Sequence, residues 1–128
     1  MTVLIVDDSA VMRKVIERTL RQAGLPLANV LEAANGMEAL ERLRTAGEQQ
    51  VLVSLVMTDI NMPEMDGLEF VRQAYSEGLT KDVPVVMITT EGSEQHVTAA
   101  IVAGARGYIR KPFTAEQVKV RVLPLVRV

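Results

Sequence analysis

A chain of 128 residues with 14 Lys and Arg against 16 Asp and Glu, a formal net charge of −2, has room for one core and no cationic excess with which to hold a phosphate backbone. Hydrophobic residues make up 48% and aromatic ones only 3%, so the core is aliphatic, and an aromatic platform for nucleic acid is excluded. The lack of cysteine removes disulfides and thiolate metal sites, and no apolar run approaches the ~20 residues of a membrane span.

Met1-Thr2 leads straight into the first apolar run, Val3-Leu4-Ile5-Val6, with no signal segment; a cytoplasmic protein without membrane insertion is expected. That run ends on Asp7-Asp8. Ser9 then caps a helix that reaches Gly24, with Val11, Met12, Val15, Ile16 and Leu20 on its sheet-facing side. A second run begins at Val30, and Asn35-Gly36 opens a helix ending near Gly47, with Leu40 and Leu43 inward and Glu48-Gln49-Gln50 as linker. The third run, Val51 to Met57, ends at Asp59 and a turn containing Pro63, and the helix after it spans Gly67 to Glu77 with Leu68, Val71 and Ala74 inward. The fourth, Val83 to Ile88, ends at Thr89-Thr90. Its helix spans Ser93 to Ala103, with Val97, Ala100 and Ile101 inward, the single histidine, His96, exposed, and Gly104 as the stop. The fifth begins at Gly107 and leads to Lys111-Pro112. Val118-Lys119-Val120-Arg121-Val122 then alternates with period two, which alone reads as a strand, and Pro124 ends or kinks any helix there.

Strand alternates with helix through five units, the pattern of an α/β domain, and the continuously apolar runs fit strands covered on both faces of a parallel sheet. Right-handed crossovers bring all the strand ends to one edge, where such folds bind ligands. Asp7, Asp8, Asp59, Thr89-Thr90 and Lys111 therefore converge. Clustered carboxylates suit Mg²⁺, and a carboxylate beside a metal can act as nucleophile toward a phosphoryl group. Asp59 is the candidate, with Lys111 and Thr89 as the cation and hydroxyl for phosphoryl oxygens. Singly, each residue has a plainer explanation. Asp7-Asp8 would be a helix cap, Lys111 a solvated strand end and Thr89 a β-branched strand residue. Their joint arrival at one edge favours the site.

Leu4-Ile5-Val6-Asp7-Asp8-Ser9, Asp59-Ile60-Asn61-Met62-Pro63-Glu64-Met65-Asp66-Gly67, Ile88-Thr89-Thr90-Glu91 and Gly107-Tyr108-Ile109-Arg110-Lys111-Pro112-Phe113 together resemble bacterial response-regulator receiver domains of the single-domain, chemotaxis (CheY-like) type. The resemblance covers essentially the whole chain. It implies a flavodoxin-like, doubly wound five-stranded parallel sheet of order 2-1-3-4-5 with five helices, here a single receiver domain over residues 1–128 with no effector domain. It also implies that Asp59 accepts a phosphoryl group from a histidine kinase, in a phosphoacceptor rather than an enzyme. Mg²⁺ would be held by Asp8, Asp59 and the backbone carbonyl of Asn61, with Asp7 acting through a water. Lys111 and Thr89 would contact the phosphoryl oxygens. Tyr108 would be the switch residue, turning inward to remodel the face of the fourth helix, fifth strand and fifth helix for a downstream protein target. Asn61 and Glu91 match a pairing that modulates dephosphorylation, and Lys111-Pro112 would be cis. A monomer is expected, with the output face as the place for any weak dimer.

Three other readings compete. A haloacid dehalogenase-type Mg²⁺-dependent phosphatase also uses an aspartate nucleophile, but wants an acid two residues later, where this chain has Asn61. A flavin binder would need a phosphate loop where Asp7-Asp8 stands. A phosphorylation-independent interaction domain would have no use for the full chemical set. The kinase, the target and the pathway are not written in these residues.

Overall fold

In the computed structural model, which describes residues 1–90 and 95–126, the strands are β1 (Thr2–Val6), β2 (Asn29–Ala33), β3 (Val53–Asp59), β4 (Val85–Thr89) and β5 (Gly107–Arg110). The helices are α1 (Ala10–Gln22), α2 (Gly36–Glu48), α3 (Gly67–Ser76), α4 (Gln95–Ala103) and α5 (Ala115–Arg121), followed by a 3₁₀ turn at Leu123–Leu125. All strand pairings are parallel, in the order β2-β1-β3-β4-β5. The expected sheet order and five helices are therefore observed. The direction of strand succession reverses between β1 and β3, so the carboxyl ends of these two neighbours border the crevice where doubly wound sheets bind ligands.

The sheet separates two layers of core. Val3 and Ile5 of β1, with Leu55, Met57, Val86, Ile88 and Ile109, pack against Ile16 and Leu20 of α1 and Val118 and Val122 at α5. Leu4 and Val6 face the other way, onto Leu40 and Leu43 of α2 and Phe70, Val71 and Ala74 of α3. Both sides of β1 and β4 are thus covered, which is why their sequences do not alternate. Among the described residues no helix is long and apolar enough to cross a membrane.

Several expected boundaries and faces differ. Ser9 does cap α1, its side chain accepting from the Met12 amide at 3.2 Å, but Val11 is 73% exposed and Val15 is exposed as well. Val15 and Ile16 are consecutive and so about 100° apart around the helix axis, and the face that buries Ile16 and Leu20 turns both valines toward solvent. Val51 and Leu52 precede β3 rather than belonging to it, and both are exposed. α2 continues through Gly47 to Glu48, and the left-handed stop falls on Gln50, at φ 58°. Val97 is half-buried and Ile101 exposed, so of the three α4 positions expected inward only Ala100 is fully so. The expected start of that helix at Ser93 lies outside the described residues. His96 is half-buried rather than exposed.

From Val118 to Arg121 the segment is helical, as the expected fifth helix requires and against its period-two pattern, with Val122 as the C-cap. Val118 and Val122 are fully buried while Val120 between them is 70% exposed, which a strand with one buried face could not do. A capping box fixes the start: the Thr114 hydroxyl accepts from the Gln117 amide, and the Gln117 side chain accepts from the Thr114 amide. The helix gives way to the 3₁₀ turn containing Pro124, as the proline leads one to expect.

Candidate functional site

β1 ends one residue before Asp7, and β3 ends on Asp59; with Val6 opposite Thr58, the two tips are neighbours. Carboxylate oxygens of Asp7, Asp8 and Asp59 lie within 4.8 Å of one another. Asp7 is almost wholly buried and Asp8 exposed. The Asp7 carboxylate accepts from the Ser9 amide at 2.9 Å on one oxygen and from Lys111 Nζ at 2.9 Å on the other. Its amide donates to the Ala33 carbonyl at 3.1 Å, and its carbonyl accepts from Arg13 Nη1 at 2.7 Å. Asp59 accepts from the Ile60 amide at 2.8 Å and from Lys111 Nζ at 3.5 Å. Lys111 reaches both carboxylates from the turn after β5, where a cis bond joins it to Pro112, as expected, and where its amide donates to the Thr89 carbonyl at 2.7 Å.

Close packing of α3 onto the β3 tip aims Asp59. Asp66 caps α3 by accepting from the Glu69 amide at 2.9 Å, and the Gly67 amide donates to the Ile60 carbonyl at 2.7 Å. A Cβ on Gly67 would stand 2.0 Å from the Asp59 carbonyl oxygen, so only glycine permits this approach.

Burial raises the pKa of Asp59, and the Asp7 charge adds to the rise, while the Lys111 ammonium works against both. Lys111 would be lowered by its own burial, but its hydrogen bond to Asp7 and the charges of Asp59 and Asp7 hold it above the ordinary lysine value. It is therefore an ammonium at neutral pH. For Asp59 the linkage runs in one direction: a carboxyl whose folded pKa is raised contributes stability below the unfolded pKa and loses it as pH rises through the folded value. In metal-free buffer, Asp59→Asn should accordingly melt a few degrees above wild type at neutral pH, with the difference shrinking toward zero below about pH 4, where the unfolded Asp is also protonated. Thermal melts in EDTA across that range decide it; a variant that is equally stable at every pH would contradict the raised Asp59 pKa.

All three clustered residues offer hard oxygen donors, with no imidazole or thiolate among them, and that donor set fits Mg²⁺ or a cation like it. A family model described as the response regulator receiver domain matches residues 3–123. The chain belongs to the receiver-domain family. It is 44% identical over 119 residues to the chemotaxis protein CheY1 of Helicobacter pylori, covering 93% of this chain and 91% of that one. It is also 44% identical to the chemotaxis protein CheY homolog of Campylobacter jejuni, covering 93% and 87%. Among solved structures it resembles CheY in a CheX-CheY-BeF₃-Mg²⁺ complex from Borrelia burgdorferi, at TM-score 0.81 and 30% identity over 98% of this chain and 88% of that one. It also resembles Vibrio cholerae CheY4, at TM-score 0.73 and 37% identity over 91% of each.

The receiver domain brings Asp7, Asp8, Asp59 and Lys111 together as their sequence positions lead one to expect. Thr89 is at the same edge, since Asp59 pairs with Ile88, but its buried hydroxyl donates to the Ile109 carbonyl at 3.4 Å, toward β5 rather than the carboxylates. Tyr108 is half-buried, with the Arg121 guanidinium 5.1 Å from its ring centroid. Asn61 is exposed in the turn after β3. Glu91 lies outside the described residues. Sequence reasoning passed over Arg13, whose only cue was its helical distance from Asp7. It also passed over the close approach of Gly67, which only the folded backbone reveals.

Proposed function

We propose that this receiver domain is a phosphoacceptor switch of two-component chemotaxis signalling, in which Asp59 takes a phosphoryl group from the phosphohistidine of a histidine kinase. The observation that carries the reading is the convergence of three carboxylates and a protonated lysine on one strand edge, within 4.8 Å for the carboxylates and 2.9–3.5 Å for the lysine. The chemotaxis assignment rests on the named relatives.

An Asp59 carboxylate oxygen attacks phosphorus, the bond from phosphorus to the donor imidazole nitrogen breaks, and its electron pair leaves with the imidazole, which takes up a proton. The product is an acyl phosphate on Asp59. The backbone amide of Ile60 orients one Asp59 oxygen, and Lys111, already beside the other, meets the charge carried in on the phosphoryl oxygens. Mg²⁺, held by Asp8, Asp59 and the Asn61 carbonyl with Asp7 acting through a water, would neutralise further phosphoryl charge when bound. The Thr89 hydroxyl then exchanges the long bond to Ile109 for a phosphoryl oxygen, and Tyr108 turns inward to alter the face made by α4, β5 and α5, which a downstream protein reads. Asn61 and Glu91 orient the water that later hydrolyses the acyl phosphate. The domain is consumed and regenerated stoichiometrically, so it assists its own phosphorylation and dephosphorylation without being an enzyme in the ordinary sense. It acts as a monomer in the cytoplasm. The solved CheX-CheY-BeF₃-Mg²⁺ complex of the Borrelia relative supports both the metal and a protein partner.

Intact-mass spectrometry after incubation with acetyl phosphate or phosphoramidate tests this. A gain of one phosphoryl group is expected in wild type with Mg²⁺, with none in EDTA and none in Asp59→Asn. Absence of any gain in wild type that demonstrably binds Mg²⁺ leaves a phosphorylation-independent interaction domain as the better account.

A further inference from the structure

Arg13 has no part in the chemistry above, yet its 2.7 Å bond to Asp7 is shorter than those from Lys111 and the Ser9 amide, both at 2.9 Å. From the first turns of α1 its guanidinium donates through Nη1 to the Asp7 carbonyl at 2.7 Å and through Nε to Glu32 Oε1 at 2.9 Å. Its side chain is only 16% exposed. Glu32 lies on β2 opposite Ile5, next to Ala33, whose carbonyl accepts the Asp7 amide. Lys14 also approaches Glu32, at 3.5 Å. The hydrogen bond from Arg13 is the main reason the Glu32 carboxyl is held below its ordinary pKa, with burial opposing and the Lys14 and Arg13 charges assisting.

The carbonyl that Arg13 grips belongs to the peptide group joining Asp7 to Asp8. A planar peptide with its oxygen fixed has its nitrogen fixed too, so the direction in which Asp8 leaves the chain is set. The Ser9 amide closes the far side by donating back to Asp7. Without the guanidinium, two adjacent like charges near a third have a free torsion by which to separate. Lysine could not substitute, because one ammonium on a flexible stem lacks the flat fork that satisfies a carbonyl and a carboxylate in fixed directions.

We propose that Arg13, aimed by Glu32, is a positioning residue that fixes the Asp7-Asp8 peptide and so sets the affinity of the acidic cluster for Mg²⁺, an inference that rests on the cluster being the Mg²⁺ site. Outer groups that hold metal ligands in place typically change affinity 10–100-fold when removed.

Calorimetric titration with Mg²⁺ on wild type, Arg13→Ala, Arg13→Lys and Glu32→Ala, each paired with a thermal melt in EDTA, tests the role. Affinity should fall about tenfold in Arg13→Ala, nearly as far in Arg13→Lys, and by less in Glu32→Ala. The Arg13→Ala/Glu32→Ala double variant should bind no more weakly than Arg13→Ala alone, since the two act through one contact. A lowered melting temperature with affinity within twofold of wild type assigns Arg13 a purely structural part and overturns the proposal. If Arg13→Ala does not fold, Glu32→Ala decides in its place, and wild-type affinity there overturns it equally. A wild type that takes up no Mg²⁺ removes the metal reading and this inference together, whereas wild-type uptake with unaffected variants removes only the inference.

Discussion

Lys111→Met should destabilise the metal-free protein by about 3 kcal/mol, in the range seen when one partner of a buried ion pair is removed. The reason lies with Asp7, whose side chain is 2% exposed and whose second oxygen has Lys111 as its hydrogen-bonding cation at 2.9 Å. Methionine fills a similar volume but leaves that carboxylate charged, desolvated and repelled by Asp59 and Asp8. Phosphorylation by a small-molecule donor should fall as well, roughly 10²–10³-fold, the usual loss on removing one preorganised charge-stabilising group. The two effects part company when Mg²⁺ is added. A cation among the carboxylates restores some of the lost stability, whereas it cannot stand where the ammonium meets the phosphoryl oxygens. Denaturant melts with and without Mg²⁺, alongside intact-mass time courses, measure both. A Lys111→Met protein as stable as wild type in EDTA and phosphorylated as fast would show that Lys111 is neither the counter-ion of Asp7 nor part of the transfer.

Gly67→Ala should cost about as much, near 3 kcal/mol, the upper part of the usual range for overpacking. The added methyl would meet the Asp59 carbonyl oxygen at 2.0 Å, its carbon at 3.0 Å and the Ile60 Cα at 3.1 Å. All three are backbone atoms, so no change of rotamer relieves the clash. Either α3 backs away, breaking the 2.7 Å bond from the Gly67 amide to the Ile60 carbonyl, or the end of β3 moves and takes Asp59 with it. Phosphoryl acceptance should decline together with stability. Gly47→Ala is the control, since a Cβ there meets nothing within 4 Å and the position is helical; it should be neutral or stabilising by roughly 0.5–1 kcal/mol. Equal melting temperatures for Gly67→Ala and wild type would argue against the tight approach.

Where the sequence could be read and where it could not has a common cause. Val6-Asp7-Asp8 and Met57-Thr58-Asp59 announced themselves because a change from apolar to acidic at a strand tip is a local event, and parallel topology does the rest of the assembly. The faces of α1 and α4 were misjudged at Val11, Val15 and Ile101 because apolar residues are common on protein surfaces, and spacing alone does not say which edge of an apolar stripe meets the sheet. In Val118–Val122 the ends are four apart, a separation that satisfies both a strand of period two and a helix; only Val120 distinguishes them, and its exposure became visible on folding. The capping box at Thr114 and Gln117 was a local signal that would have settled it. The partnership of Arg13 with Glu32 was beyond reach, since it depends on β2 lying beside β1 in register.

Lys111 follows Asp7 by 104 positions and Asp59 by 52. At translation rates of roughly 5–20 residues per second, the two acidic tips exist for several seconds before the lysine that completes them has been made. A growing chain therefore has Asp59 long before it has the ammonium beside it, and the turn after β5 must dock before the two meet. On the proposed function, unfinished copies that lack this ammonium should compete for phosphoryl groups only as weakly as Lys111→Met, roughly 10²–10³-fold less than finished ones.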